Sequence, residues 1–145
     1  MPDLPLNGKS ILLVEDEYLV ASMVMDALED FGATIVGPVS NMQLALDFLD
    51  NSEIRIDAAT VDINLQGANA FPLADRLTAE GIPYVILTGY ECSSLPERFH
   101  SVTCLSKPFA PEEVAEKLLA ACREAEAAMP VAEPIELPEQ PSPAE

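Results

Sequence analysis

The chain alternates between unbroken apolar runs and stretches where apolar residues recur every three or four positions. "SILLVED", residues 10–16, is apolar until it ends in Glu15 and Asp16. A run apolar on both faces suits a strand of a parallel sheet covered by helices on each side. The period then changes. Val20, Met23, Val24, Ala27, Leu28 and Phe31 share one helical face, and Gly32 follows where a C′ glycine ends a helix. Residues 33–39 predict a second strand closed by Pro38. Ser40 and Gln43 fit a capping box before a helix faced by Met42, Ala45, Leu46 and Leu49. Residues 57–62 predict a third strand. Asn69 is placed to cap a third helix, with Ala70, Leu73, Ala74 and Leu77 inward and Pro72 in the first turn. A fourth strand enters through Gly81 and Pro83, and a short fifth spans 102–109. The last helix, 110–128, has Pro111 at N1 and Glu112 and Glu113 in its first turn. Its apolar face is Val114, Leu118, Ala121, Cys122 and Ala125. Residues 91–101 contain Pro96 and no clean stripe, which predicts a short or mobile helix.

Strand and helix alternating five times predict an α/β fold with a doubly wound parallel sheet. The expected division is a flexible N-terminus at 1–7, one domain at 8–128, and a disordered Pro/Glu-rich tail at 129–145. A chain of 145 residues, about half of them hydrophobic, is enough for one core. No apolar run approaches a membrane span, and no secretory signal is visible. Cys92, Cys104 and Cys122 are widely spaced. They give neither a disulfide framework nor zinc spacing, which predicts a reducing, cytoplasmic setting. Cys104 reads as an apolar filler and His100 as a surface residue. A net charge of −18 disfavours nucleic acid and anionic membranes as partners.

Ligands of such sheets bind outside the carboxyl ends of the strands. Those ends carry Glu15 and Asp16, then Asp62, then Thr88, then Lys107. Each alone reads as strand-end decoration. Together they bring acids, a hydroxyl and an amine to one edge. Carboxylates crowded in a cleft repel unless a cation sits among them, and an all-oxygen donor set suits Mg²⁺. A carboxylate can also accept a phosphoryl group, whose oxygens need donors and positive charge around them. Asp62 is the candidate acceptor, and Thr88 and Lys107 are the candidate donors.

The ordered motifs "LLVEDE", "VDINL", "LTGY" and "LSKPF" resemble the receiver domain of two-component response regulators. The resemblance covers roughly residues 8–128. It implies a flavodoxin-like (βα)5 sheet of order 2-1-3-4-5 and phosphorylation of Asp62 by a histidine kinase. It also implies Mg²⁺ held by Asp16, Asp62 and the Asn64 carbonyl, with Glu15 acting through water. Thr88 and Lys107 would hold the phosphoryl group, and Lys107–Pro108 would be a cis peptide. The implied partners are a histidine kinase or phosphotransfer protein and a downstream protein target. With only a short tail after the last helix, output by protein binding or onward phosphotransfer is expected.

Two departures stand out. The proline that often follows the family's Asp-x-x-Met is Gln66 here, and the switch aromatic three residues before the lysine is Cys104. "LTGY" resembles the subgroup with a Phe-Ala-Thr-Gly-Tyr signature, which implies that Tyr90 takes over the switch and that the kinase is of the His-Trp-Glu class. Two alternatives remain open on sequence. One is a pseudo-receiver that docks without cycling phosphate. The other is a small aspartyl-phosphate hydrolase of the haloacid dehalogenase type, disfavoured by Asn64 where such enzymes carry a second Asp.

Overall fold

The computed structural model describes residues 4–128, so the expected tail at 129–145 lies outside the described residues. The elements alternate as β1 (Ser10–Val14), α1 (Tyr18–Asp30), β2 (Thr34–Val39), α2 (Met42–Asp50) and β3 (Ala58–Asp62). A small hairpin follows, β4 (Asn64–Leu65) and β5 (Ala68–Asn69), then α3 (Phe71–Ala79), β6 (Tyr84–Thr88), β7 (Cys104–Ser106) and α4 (Pro111–Ala128). The main sheet has the order β2-β1-β3-β6-β7, and every neighbouring pair is parallel. This is the 2-1-3-4-5 order once the hairpin is set apart.

The unbroken apolar runs are explained by the two covered faces. Side chains along a strand alternate between faces. Ile11, Leu13, Ala58, Val85 and Leu87 pack with Val24 and Leu28 of α1 and with Val114 and Leu118 of α4. Leu12, Val14, Ala59, Val61 and Ile86 pack on the other side, with Ala45 of α2 and with Leu73, Ala74 and Leu77 of α3. β2 lies at the sheet edge and accommodates Pro38, which follows a cis peptide from Gly37. Gly32 sits just past the α1 C-cap at φ 98, as a C′ glycine should.

Several expectations need correction. Residues 4–7 are not a loose lead: Leu6 is fully buried, and its N–H donates to the Phe31 carbonyl at 2.7 Å. Asn41, not Ser40, caps α2, accepting the Leu44 N–H at 2.9 Å, while Gln43 donates to Asp47. Asn69 accepts the Phe71 N–H at 3.3 Å, but Ala70 holds the N-cap position of α3. Met23 is half exposed. The 91–101 segment forms no α-helix, only short 3₁₀ turns at Cys92–Ser94 and Glu97–Phe99.

The largest correction concerns the cysteines. Cys92 and Cys104 form a disulfide, so Cys104 is not an apolar filler, the absence of a disulfide does not hold, and cysteine usage no longer argues for a reducing setting. No spacing rule pairs residues 12 apart. The parallel pairing of β6 with β7 and the turn at 92–94 bring their Cα atoms to 5.9 Å, within disulfide reach. Cys122 is buried and free.

Candidate functional site

Backbone hydrogen bonds continue past the strand ends and fix the edge of the sheet. The Glu15 N–H donates to the Val39 carbonyl at 3.0 Å, Ile63 to Leu87 at 2.9 Å and Lys107 to Thr88 at 2.7 Å. Side chains leaving these ends therefore start from a rigid frame. Glu15, Asp16 and Asp62 each place one carboxylate oxygen within 4.8 Å of the others. Glu15 and Asp62 are buried, at 2% exposure each.

Lys107 joins the acids. Its Nζ donates to Asp62 Oδ2 at 3.0 Å, to Glu17 Oε1 at 3.0 Å and to Glu15 Oε2 at 3.3 Å. The remaining Asp62 oxygen accepts the Asn64 N–H at 3.0 Å. The Lys107–Pro108 peptide is cis. The sequence pattern does not single out Glu17, a third ion-pair partner of the lysine. The only signal is its place as the third acid of "EDE".

One ammonium does not balance this much negative charge. Burial, then the adjacent Asp62 carboxylate, pushes the Glu15 carboxyl up to about 8. Burial pulls Lys107 down, but its hydrogen bonds to Glu17 and Asp62 win, and it stays firmly protonated. Glu15 Oε1 is buried and has no hydrogen-bond partner. A buried, unpartnered carboxylate oxygen is costly unless something binds it. A hard divalent cation coordinated by oxygens fits that vacancy in the bonding. Asp16, Glu17, Asp62, Asn64, Gly89, Tyr90 and Lys107 line an open cleft here.

The hairpin explains one departure. Gln66 has φ 52 and Gly67 φ 84, so the turn between β4 and β5 uses two left-handed residues. The Gln66 N–H donates to Asp16 Oδ2 at 2.8 Å. Proline at 66 has neither that N–H nor access to that φ. The missing proline is thus replaced by an anchor for Asp16.

Thr88 is buried and closes β6. Its Oγ1 accepts the Tyr90 N–H at 3.0 Å, which leaves its own proton free to donate. The Tyr90 carbonyl accepts from Ser106 Oγ at 2.9 Å, while the residue is 64% exposed. Gly89 is not in the left-handed region, and a Cβ there would meet nothing. His100 stands apart, its Nε2 on the Leu95 carbonyl at 2.8 Å.

Comparison with known proteins is decisive at this point: the model of the response regulator receiver domain matches residues 11–119. The chain belongs to the response regulator receiver domain family. The sensor protein TorS of Escherichia coli strain K12 is 35% identical over 121 residues. That match takes in 79% of this chain and only 13% of TorS, so this receiver spans a small part of that relative. The solution structure of SdrG from Sphingomonas melonis Fr1 is 39% identical, with a TM-score of 0.68 over 85% of this chain and 99% of that one. A BeF3-activated conformation of SdrG from Pseudomonas melonis Fr1 is also 39% identical. It aligns with a TM-score of 0.64 over 83% of this receiver and 98% of that chain. Receiver domains bind Mg²⁺ at an acidic pocket, and Glu15, Asp16 and Asp62 form an acidic cluster here that could hold such an ion. Membership of this family also removes the hydrolase alternative. Among the described residues no helix is long and apolar enough to cross a membrane.

Proposed function

We propose that this receiver is a cytoplasmic switch phosphorylated on Asp62 by a histidine kinase or phosphotransfer protein. The observation that carries the reading is the Asp62 carboxylate, buried at the tip of β3 with Lys107 Nζ at 3.0 Å. An Asp62 oxygen attacks phosphorus, the phosphorus–nitrogen bond of the donor breaks, and the electron pair leaves with the imidazole. Lys107 balances charge on the transferred group. The Thr88 hydroxyl donates to one of its oxygens. Asp16, Asp62 and the Asn64 carbonyl would hold Mg²⁺, with Glu15 acting through water, and the ion would supply electrostatic stabilisation of the phosphoryl oxygens.

The partner docks by protein contact. Tyr18, Leu19 and Met23 are exposed apolar side chains on α1. Met23 lines a groove with Val20, Val24 and Phe109 that runs up to Lys107. Phosphorylation shifts the population of a pre-existing alternative arrangement of the 91–101 segment, β7 and α4. Tyr90 is the relay by resemblance to the Phe-Ala-Thr-Gly-Tyr subgroup, which also implies a His-Trp-Glu kinase; its side chain is exposed and its main chain is tied to Thr88 Oγ1 and Ser106 Oγ. Full phosphorylation-dependent partner binding by Tyr90→Ala would remove Tyr90 from that role.

Intact mass after incubation with acetyl phosphate tests the acceptor. A single phosphoryl adduct is expected with Mg²⁺ and none without it or in Asp62→Asn. Absence of the adduct, with a kinase donor as well, would leave the docking-only pseudo-receiver.

A further inference from the structure

The Cys92–Cys104 disulfide has no part in the chemistry above, yet its ends flank that chemistry. Cys92 lies four residues past Thr88, and Cys104 lies three before Lys107. The bond joins the loop leaving β6 to β7, so it closes a covalent ring around the 92–104 segment. Outside that bond the segment is held to α3 by the Arg98–Asp75 ion pair and by Phe99 stacked on Phe71. Its regular structure is only two 3₁₀ turns, and Leu95 and Phe99 are its buried residues. Segments with little regular backbone structure open at lower free-energy cost than the sheet, so a covalent tie adds to what restrains them. The disulfide is also within reach. Both cysteines are half-buried and border an open cavity with Ser93, His100 and Val102. Cys122 belongs to the opposite core layer, under α4, and is placed to exchange with neither. Disulfides in reducing compartments are typically transient and redox-sensing rather than structural.

We propose that Cys92 and Cys104 are a reversible redox pair that latches the 91–103 segment to β7 when oxidised and releases it when reduced by a dithiol. A thiolate of the dithiol attacks one sulfur, and the Cys92–Cys104 bond breaks. The second thiol of the reductant then resolves the mixed disulfide. The reductant leaves as a disulfide, and two electrons and two protons end on Cys92 and Cys104. The consequence for signalling rests on the reading of Asp62 as phosphoacceptor; the redox pair itself does not.

The test uses the full chain poised in mixtures of reduced and oxidised dithiothreitol, then alkylated with iodoacetamide under native conditions. Intact mass is expected to show alkylation of Cys92 and Cys104 appearing together as the dithiol rises, also in Cys122→Ser. Hydrogen exchange of the 91–103 amides is expected to quicken about tenfold or more on reduction, with the rest of the sheet unchanged. Cys92→Ser/Cys104→Ser should match the reduced form under both conditions. Thiols that remain alkylatable under fully oxidising conditions would overturn the proposal. So would equal exchange in the two states. Repeating the exchange with acetyl phosphate and Mg²⁺ separates the two readings. A phosphorylation-dependent change in 91–103 is expected only in the reduced protein, and an equal change in the oxidised protein would overturn the latch. Failure of both forms to take the phosphoryl group would sink the Asp62 reading, while the thiol count and donor-free exchange still decide the latch.

Discussion

Mg²⁺ binding by this receiver should release a proton, and Glu15 is the group that loses it. In the ion-free protein the Glu15 carboxyl is held up to about 8 by burial and by Asp62. At pH 7 about nine in ten molecules then carry a proton there. A cation at the acidic cluster favours the ionised form, so the proton must leave as the ion enters. Calorimetric titrations in buffers of different ionisation enthalpy should count about 0.9 protons released at pH 7 and about 0.1 at pH 9. Apparent Mg²⁺ affinity should lie about a hundredfold below its plateau at pH 6, about tenfold below at pH 7 and about twofold below at pH 8. Stability without Mg²⁺ should run the opposite way. The folded state binds the Glu15 proton more tightly than the unfolded chain. The stabilisation from that proton is therefore complete below the ordinary value of 4.5 and is lost as pH rises toward about 8. Glu15→Gln cannot titrate. It should bind Mg²⁺ with little pH dependence and show a flatter decline of the urea midpoint in EDTA. The reasoning is refuted if wild-type affinity is flat from pH 6 to 9, or if Glu15→Gln keeps the wild-type slope.

Further substitutions probe three separate parts of the molecule. Lys107→Met leaves buried Glu15 and Asp62 without their cation. It should cost about 2 kcal/mol by urea unfolding at pH 7 in EDTA, with much of the loss recovered by Mg²⁺. Leu118→Ala empties a fully buried site between α4 and the sheet and should cost about 3 kcal/mol, with no change in Mg²⁺ affinity. Asn41→Ala removes the α2 cap and should cost about 1 kcal/mol, whereas Asn41→Ser should cost only a few tenths of a kcal/mol. A Ser40→Ala change should be neutral by the same denaturation assay, because Ser40 makes no capping bond to α2.

The fold was readable where burial on two faces leaves a periodic trace. Strands such as 10–14 and 84–88 have no polar interruption because both faces are covered, and α1, α3 and α4 bury stripes of the expected spacing. Readability failed where the structure is too short for a period. The strands of the 64–69 hairpin are two residues each; Leu65 alone of them is buried, too few to write a period, and a left-handed turn and Asp16 fix the rest. It failed again at 91–101, where neither face of a helix is specified. The cap of α2 lies one residue beyond Ser40, because adjacent Ser40 and Asn41 offer similar side chains and only the backbone decides between them; at α3 the backbone puts Ala70 at the N-cap, with Asn69 bonding from one residue before it.

The acidic edge was readable because strand ends are counted along the chain, and each delivers its residue independently. Asp62, Lys107 and Glu15 needed only the strand order to meet. The Cys92–Cys104 bond was not, since it depends on how one irregular loop crosses to a neighbouring strand. That difference bears on how the receiver works. The residues that handle charge stand on the rigid sheet, where hydrogen bonds beyond the strand ends hold them. The cysteine pair stands where the sheet gives way to an irregular segment. Two bonds tie the fixed edge to the start of that segment: the Tyr90 N–H donates to Thr88 Oγ1, and Ser106 Oγ donates to the Tyr90 carbonyl. The disulfide joins the 3₁₀ turn after β6 to the first residue of β7. A tie at that point restrains the output of the site while leaving its charges in place. Oxidation should therefore alter the response of 91–103 to phosphorylation far more than the ability of Asp62 to be phosphorylated. Comparing adduct formation by mass with exchange in that segment, in both redox states, separates the two effects; an equal loss of both would place the disulfide's influence on the site itself.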